Sequence, residues 1–306
     1  MSYIGSLKTD MQRRCAKELL ALDSSHRREA MAQLCFDRIE QKQEFLMDKF
    51  HDTESWMETA YLMLLRSLDI KANRRSYERL AKILPYRYIV KAGFNRTSIE
   101  ALLLGSAGLL QRLAEVYDAD KEIAALKEVY DYESHKFSLD RMSIEEWQLS
   151  GHNGDNHPII RLLQLASVLS QHEHLVDDLL NCRKREDVER LFRNSSVPRW
   201  AYRFLAEDSY GGAFTRAKAQ MMGINVVAQL QIFYSEYTMR SDLDSRGIDL
   251  LECLPAEQNL FVSRWAKLGV KAENALESQA LLQLTKEYCS KVACERCPLH
   301  RFLTAE

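Results

Sequence analysis

The sequence predicts an all-α fold, a multi-helix globular array, and three observations support it. Proline and glycine are scarce, with Pro 5 and Gly 11 among 306 residues, whereas roughly 5% and 7% are typical of proteins. Apolar residues recur at helical spacing, and no stretch alternates for long enough to compete as a strand. With 46% hydrophobic residues, we expect a single all-α domain over residues 1–306, in which two packed helical lobes are one possibility.

Each helix is predicted from its apolar period and its end signals. Thr53 is expected to cap one helix, and Thr97 with Glu100 to form a capping box at the start of another. Pro85 ends the helix that precedes it. The predicted helices cover residues 11–20, 24–50, 53–68, 76–85, 97–110, 120–137, 159–180, 213–237, 248–254, 257–268 and 275–289.

The clearest loop is the stretch 148–158, which is rich in Gly, Asn, Asp and Pro. If the chain has two lobes, we expect their seam here. The polar side chains in and just after the loop are His152, Asp155, Asn156, His157 and Arg161. A hydrolytic or metal site of a free-standing enzyme is one interpretation. The other is that turn-forming residues gather in loops for backbone reasons alone.

Charge and hydropathy exclude some classes of protein. The net charge of -2 gives no global basic field of the kind that nucleic-acid-binding proteins often carry. The longest apolar stretch is shorter than the roughly 20 residues that cross a bilayer, so we expect a cytoplasmic protein with no membrane partner. Phosphate loops, nucleophile elbows, zinc-protease helices and Rossmann glycines do not occur in the sequence. An enzymatic activity of this chain is therefore not favoured.

Three cysteines near the C-terminus form the strongest chemical motif. Cys289, Cys294 and Cys297 are spaced C-x4-C-x2-C, and the C-x2-C half allows both thiolates to reach one zinc ion or iron–sulphur cluster. Such sites need four ligands. The candidates for the fourth are His300, Cys15, Cys35, Cys182 and Cys253. Cys35 and Cys253 are better explained as core residues, and three reduced thiols on a turn remain the alternative to a metal site.

A basic segment offers a contact for DNA or RNA. Its cations are Arg183, Lys184, Arg185, Arg190, Arg193, Arg199 and Arg203, and its aromatic residues are Phe192, Trp200, Tyr202 and Phe204. Cations can meet phosphates while aromatic rings stack on bases. Acidic residues are interspersed, however, and mixed charge on a helix is also typical of a solvated face with ion pairs four residues apart.

Five segments, in order along the chain, carry a resemblance to a known family. They are "IEALLLGSAGLL", "NHPIIRLLQLA", "GINVVAQL", "LPAEQN" and "SQALLQLTKEYCSKVACERCPL". They resemble an uncharacterised bacterial family, the domain of unknown function 2851. The matching positions are Gly105, Ala107, Gly108, Asn156, Pro158, Arg161, Asn225, Pro255, Glu257, Asn259, Gln279, Tyr288, Cys289, Cys294, Cys297 and Pro298. Cys15 also falls on a cysteine of the family's pattern, so the resemblance favours it as the fourth ligand.

The resemblance implies a role beside a second domain. Longer relatives begin with a region that looks like a nuclease core, and this chain is expected to correspond to the C-terminal helical region alone. Some nucleases of the RecB type carry an iron–sulphur staple with the same layout of one upstream and three C-terminal cysteines. We therefore expect a non-catalytic, metal-stapled helical domain that contacts nucleic acid beside a nuclease-like domain. The alternatives are an enzyme with a site at 148–161 and a helical scaffold for a protein partner.

Overall fold

The structure is a computed structural model that describes most of the chain. It describes residues 2–69, 71–117, 120–151, 154–204, 212–240, 243 and 245–303, with the backbone alone at 2–11, 202–204 and 301–303. Within these ranges the chain is helical and contains no β-strand, apart from one isolated bridge between Pro255 and Asn274. The predicted all-α fold is confirmed.

The α-helices follow one another through short connections. In chain order they are α1 (Ser2–Ala21), α2 (Ser24–His51), α3 (Trp56–Leu68), α4 (Arg74–Ile83), α5 (Tyr86–Lys91), α6 (Arg96–Ser106), α7 (Leu109–Val116), α8 (Lys121–Phe137), α9 (Pro158–Gln171), α10 (Leu175–Asn181), α11 (Arg185–Arg193), α12 (Arg216–Met222), α13 (Ala228–Thr238), α14 (Arg246–Cys253), α15 (Leu260–Lys267), α16 (Ala275–Gln283) and α17 (Pro298–Leu303). Two π-helical segments, Gly223–Val227 and Leu284–Cys289, continue α12 and α16. Short 3-10 turns occupy Ile144–Glu146, Gly154–Asn156, Arg199–Phe204 and Cys294–Arg296.

The chain divides into two compact units. Unit 1 comprises Met1–Asp48 and Gln231–Glu306, and unit 2 comprises Lys49–Leu230. The loop 148–158 lies within the span of unit 2, and a lobe seam at that loop stays a prediction. No helix in the described part of the chain combines the length and the apolarity that crossing a bilayer demands.

The start of α6 differs from its prediction. Asn95, not Thr97, is the N-cap, and its side chain accepts a hydrogen bond from the backbone N–H of Ser98. Glu100 is buried and forms an ion pair with Arg96 at 2.8 Å instead of closing a capping box. Asn is at least as good an N-cap as Thr, so the helix begins at the earlier residue.

The start of α3 was also predicted two residues too early. Thr53 lies in the turn that follows α2, where its N–H is bonded to the carbonyl of Phe50. Ser55 is the N-cap of α3 and accepts from the N–H of Glu58. The predicted single helix 159–180 is likewise interrupted, because α9 ends at Gln171 and α10 begins at Leu175.

Small residues in α6 allow close helix packing within unit 2, where α6 packs against both α8 and α9. A Cβ at Gly105 would lie 2.1 Å from the ring of Tyr130, which is on α8. At Gly108, which has φ +73, a Cβ would lie 2.3 Å from the carbonyl oxygen of Met142. Both positions therefore exclude a larger side chain.

The segment before the loop 148–158 is fixed to unit 2 by two side chains. The Asn73 amide donates to the carbonyl of Gln148 at 2.9 Å and accepts from the N–H of the same residue at 2.8 Å. Trp147 donates its indole N–H to the carbonyl of Ala107 at 2.8 Å, and its ring packs edge-on against Tyr77. These contacts hold the loop at the N-terminus of α9.

Candidate functional site

The four predicted cysteine ligands lie in unit 1, at the two ends of the chain. Cys15 is on α1, and Cys289 is the last residue of the π-helical segment Leu284–Cys289, against which α1 packs. Cys294 begins a 3-10 turn, and Cys297 precedes Pro298, the first residue of α17. The N-terminal and C-terminal segments therefore meet, as a shared site requires.

Hydrogen bonding and burial set the protonation of these thiols. The thiol of Cys289 donates a hydrogen bond to the sulphur of Cys15, which lowers the pKa of Cys15 and raises the pKa of Cys289. Burial raises the pKa of Cys297 to about 11, and it also raises the pKa of Cys294. The charge of Cys15 contributes to both of these shifts. The four sulphurs are thus within electrostatic range of one another, and Cys15 holds the negative charge most readily.

The backbone between Cys289 and Cys294 is strained. Val292 lies in the left-handed region at φ 55, which is unusual for a β-branched residue. Its N–H and that of Ala293 return to the carbonyls of Cys289 and Tyr288. Strained backbone and π-helical turns are both frequent at functional sites, and the tight turn brings the chain back toward Cys289.

The sulphurs are not arranged as a coordination sphere. Among the residues that the structure describes, no group of three or more His, Cys, Asp or Glu side chains lies in an arrangement that could hold a metal ion. The donor set nevertheless fits a thiophilic metal, because four thiols are available and two of them are in contact. Metal ligation by these cysteines stays a prediction.

The other cysteines do not join this group. Cys35 and Cys182 are buried, and burial raises their pKa to about 11 and about 12 respectively. Cys253 is exposed at the end of α14. The prediction of a core position is thus confirmed for Cys35 and is wrong for Cys253, because the polar face of α14 includes its last residue. All seven cysteines are free thiols.

The described residues of the predicted loop site form a hydrogen-bonded cluster centred on Arg161. The guanidinium of Arg161 is 4% exposed and donates to Gln164 at 2.8 Å and to Asn156 at 2.7 Å. His157 caps α9, because its Nδ1 accepts from the N–H of Ile159. These bonds fix the side chains of Asn156, His157 and Arg161, and an enzymatic site at this loop stays a prediction.

Two atoms of this cluster have no hydrogen-bond partner among the residues that the structure describes. They are Nε of Arg161 and Oδ1 of Asp155, and both are buried. One is a donor and the other an acceptor, so a single water molecule can satisfy both kinds. His152 lies outside the described residues.

The predicted nucleic-acid surface is α11 with the residues around it. Arg183, Lys184, Arg190, Arg193 and Arg199 are exposed, Arg185 is half-buried, and the side chain of Arg203 lies outside the described residues, as do those of Tyr202 and Phe204. Phe192 and Trp200 are buried, so neither ring is open to stacking on a base.

The cations of this surface converge on acids of the same helix. Glu189 pairs with Arg185 at 2.7 Å, with Arg193 at 3.6 Å and with Arg216 at 3.3 Å. Arg190 pairs more weakly with Asp187, at 3.7 Å. The interspersed acidic residues therefore form ion pairs with the basic ones, as expected for a solvated face. The carboxylate of Glu189 alone pairs with three guanidinium groups.

A polar cluster in unit 1 was not predicted from the residues themselves. Its centre is the side-chain amide oxygen of Gln279 on α16, which accepts from Arg38 at 2.7 Å and from Lys42 at 3.1 Å. The amide nitrogen of Gln279 donates to Glu257 at 2.8 Å, and Asn259 donates to the other oxygen of Glu257 at 3.1 Å. The family resemblance pointed to Gln279, Glu257 and Asn259 but not to the two cations. Their spacing of four residues on α2 was the signal that could have found them.

Comparison with known proteins finds one family. The model of the family described as Protein of unknown function (DUF2851) matches residues 2–260. Its matched stretch includes Cys15 and ends before Cys289. No curated protein and no solved structure matches the chain. Because the match covers most of the sequence, the chain belongs to the DUF2851 family.

Proposed function

We propose that this chain is a non-catalytic helical domain whose unit 1 is stapled by zinc or by an iron–sulphur cluster. The ligands are Cys15, Cys289, Cys294 and Cys297. The observation that supports the proposal is the thiol–thiol hydrogen bond between Cys15 and Cys289, which joins the two ends of the chain.

The chemistry of the donor set supports a thiophilic metal. Thiolates are soft ligands, and four of them suit zinc in tetrahedral geometry or an iron–sulphur cluster. Cys15 is the thiol that loses its proton most readily, and Cys289, Cys294 and Cys297 would release theirs on binding. Zinc would draw each sulphur to about 2.3 Å from the ion. That arrangement asks for side-chain rotations at the exposed Cys294 and at the turn that contains Val292.

The role of the staple is to fold unit 1. In an unfolded chain the ends are far apart and no site exists, so the free energy of metal binding adds to that of folding. A domain of this kind would serve as a rigid body beside a nuclease-like domain in longer members of the family. Nothing in that role requires a reaction at the metal.

Metal content and thermal stability test the proposal together. The chain is purified aerobically and anaerobically, and metal is measured by elemental analysis and by visible absorption, which separates zinc from an iron–sulphur cluster. Cys294→Ser and Cys15→Ser should each lose the metal and lower the melting temperature. The double variant should be little worse than either single one, because the loss is shared.

Cys253→Ser is the matched control, since Cys253 is an exposed cysteine in the same unit. It should retain both the metal and the melting temperature. A wild-type chain that holds no metal after anaerobic purification and after zinc addition would contradict the staple. Equal loss in the control variant would also contradict it.

Nucleic-acid contact is a second candidate, and the arrangement around Glu189 favours it. Three arginines share that single carboxylate, so the surface keeps positive charge after its internal pairs are counted. Phosphates can replace a shared carboxylate as partners of guanidinium groups. We expect weak binding that falls as salt rises, without base stacking from Phe192 or Trp200.

Fluorescence anisotropy with labelled single-stranded DNA and RNA measures this contact. The double charge reversal Arg183→Glu and Arg185→Glu should abolish binding. The control reverses Lys121 and Lys127, which are exposed on α8 of the same unit. If the α11 variant binds as well as the parent does, the basic segment is a solvated face.

A further inference from the structure

Helix α5 and the end of α8 bring aromatic rings and cations together on the surface of unit 2. Tyr88 on α5 packs against Phe137, the last residue of α8, with 5.0 Å between the ring centres. The ammonium of Lys91 lies 5.2 Å from the centre of the Tyr88 ring and 5.8 Å from that of Phe137. These three side chains therefore surround one space.

Two further cations and a third ring extend this arrangement. The guanidinium carbon of Arg87 lies 5.2 Å from the centre of the Tyr88 ring. The ammonium of Lys136 lies 4.7 Å from the centre of the Phe137 ring and 5.6 Å from that of Tyr132. At such distances a ring face attracts a cation. The aromatic–cation cluster thus consists of Arg87, Tyr88, Lys91, Tyr132, Lys136 and Phe137.

The cations of the aromatic–cation cluster are exposed, and two of them have no carboxylate as a partner. Lys136 pairs with Glu133 at 3.3 Å. The guanidinium of Arg87 and the ammonium of Lys91 form no ion pair with any described residue, and their contacts are those with the rings. Because a ring holds an exposed cation only weakly, both charges are available to an anion.

The ring of Tyr132 is open to solvent, since the residue is 66% exposed. The two described rings of the α11 segment, Phe192 and Trp200, are buried. Nucleic-acid bases stack on accessible aromatic side chains, and only an unpaired base can place its face there. The aromatic–cation cluster therefore has a stacking residue that the α11 segment lacks, and this residue favours single strands over duplexes.

Two hydrogen bonds connect this part of unit 2 to the chain that follows α11. Arg96, at the start of α6, donates to the hydroxyl of Ser196 at 2.8 Å and to its carbonyl at 2.9 Å. Ser196 comes soon after the end of α11, and Lys91 precedes Arg96 by five residues. Five residues span at most about 18 Å. A strand of about ten nucleotides is long enough to reach both places.

We propose that the aromatic–cation cluster binds single-stranded nucleic acid, with Arg87 and Lys91 on phosphates and Tyr132 stacked on a base. The inference rests on the second candidate function, nucleic-acid contact at α11, and adds to it the strandedness of the substrate and the stacking residue. A nucleic-acid strand complements both the cations and the exposed ring, because it carries phosphates and base faces together. Tyr88 and Phe137 hold the cations in position.

Fluorescence anisotropy on the full chain tests the phosphate contacts with a labelled oligothymidine of about 20 nucleotides and a duplex of the same length. The single strand should bind more tightly than the duplex. Arg87→Gln combined with Lys91→Gln should weaken binding and make the slope of log affinity against log salt shallower by about 1.4, since each phosphate contact on a single strand contributes about 0.7. Lys121→Gln combined with Lys127→Gln is the matched control. Both lysines are exposed on α8, and their replacement should leave the slope unchanged.

Substitutions of Tyr132 test the stacking. Tyr132→Leu should weaken binding of the single strand about tenfold, because one base loses its ring, and should leave the salt slope as in the parent. Tyr132→Phe keeps the ring and should bind as the parent does. The position is exposed, so both variants should keep the melting temperature of the parent. Tyr237→Leu, at an exposed tyrosine of unit 1, is the control and should bind normally.

The outcomes separate this inference from the α11 contact. If Arg183→Glu with Arg185→Glu abolishes binding while Tyr132→Leu and the Arg87 and Lys91 variant bind as the parent does, the aromatic–cation cluster is overturned and the α11 contact stands. Failure of the parent chain to bind any strand would overturn both. Vesicles of phosphatidylserine and phosphatidylcholine are a second probe. Binding to these vesicles without binding to the oligonucleotide would assign the cluster to an anionic lipid surface and overturn the inference.

Discussion

Two arginines, the half-buried Arg38 in unit 1 and the buried Arg161 in unit 2, donate to a glutamine side chain and differ in their other partners. Arg161 in unit 2 donates to the amide oxygen of Gln164, and Arg38 in unit 1 donates to that of Gln279. Arg161 also donates to Asn156 and lies over the ring of Phe214, with 5.6 Å to its centre. Arg161 therefore has a partner on several sides, whereas Arg38 shares its main acceptor with a second cation.

The second cation of each cluster shows the contrast more clearly. Lys218 in unit 2 donates to the carbonyls of Ser67 and Leu68, at 2.5 and 2.7 Å, and so caps the C-terminal end of α3. Lys42 in unit 1 donates to the oxygen that Arg38 already uses. Fixed carbonyls make the first lysine a structural element. The second lysine bonds instead to a side-chain amide oxygen on another helix.

The charges around the two clusters agree with this distinction. Asp155 and Asp69 both act electrostatically on Arg161, and Asp69 also acts on Lys218, so carboxylates face both cations of this cluster. Unit 1 has more cations than carboxylates at Lys42.

The largest expected effect separates the two arginines. Arg161→Met should lower the free energy of unfolding by about 3 kcal/mol, since the buried amide oxygen of Gln164 and the exposed one of Asn156 lose their charged donor. Arg38→Met should lower it by about 1 kcal/mol or less, because Lys42 still donates to Gln279. Urea denaturation of both variants measures the difference. Equal losses would mean that both arginines are structural.

The two lysines should differ in the same direction. Lys218→Met leaves two carbonyls at the end of α3 without their donor, and we expect a loss of about 2 kcal/mol. Lys42→Met removes a desolvated charge next to Arg38 and should leave stability unchanged or slightly higher. Thermal denaturation checks both. A loss at Lys42 as large as that at Lys218 would assign it a structural role instead.

Helical periodicity predicted the fold well because the helices bury apolar stripes that the sequence displays directly. The core side chains of α6 and α9, such as Leu103 and Ile160, fall at the predicted spacing and are fully buried. The end of a helix is harder to predict, because competing caps lie within a few residues. Thr97 and Asn95 are both acceptable N-caps, and the earlier start is accompanied by the ion pair of Arg96 with Glu100 within α6 and by the hydrogen bonds of Arg96 to Ser196.

The candidate site was predicted only in part, for a physical reason. The spacing of Cys289, Cys294 and Cys297 is local, so the sequence shows it. The contact of Cys15 with Cys289 depends on the packing of α1, and it was reached only through the family resemblance. Lys42 and Gln279 are far apart in the sequence, and no local pattern predicts which glutamine side chain bonds to which cation.

A pair of glutamine substitutions sharpens the comparison further. Gln164 accepts from Arg161 and donates to the carbonyl of Ala213 at 3.1 Å, so Gln164→Leu should cost about 1–2 kcal/mol. Gln283 makes no such bonds with the described residues, and Gln283→Leu should stabilise the chain by about 1 kcal/mol. Chemical denaturation gives both values. Destabilisation by Gln283→Leu would mean that its amide is bonded through ordered water.

The smallest expected effect is a pH dependence that Lys42 adds to the stability of the chain. Burial, with the nearby charge of Arg38, lowers the pKa of Lys42 from its ordinary value of 10.5 to about 7 in the folded state, while Glu257 opposes the shift. Between pH 7 and 10.5 the unfolded chain therefore binds more protons than the folded chain does. Stability from this group is fully present above the unfolded pKa and is lost as the pH falls through the folded one.

Urea denaturation at pH 7 and pH 9 measures this contribution. The parent should gain about 1 kcal/mol relative to Lys42→Met over that interval, after allowance for the solvent that reaches a half-buried ammonium. Titration of the cysteines occurs in both proteins and cancels in the difference. Parallel profiles with and without the lysine would show that Lys42 keeps an ordinary pKa, and the contrast with the balanced cluster around Arg161 would then lose its electrostatic basis.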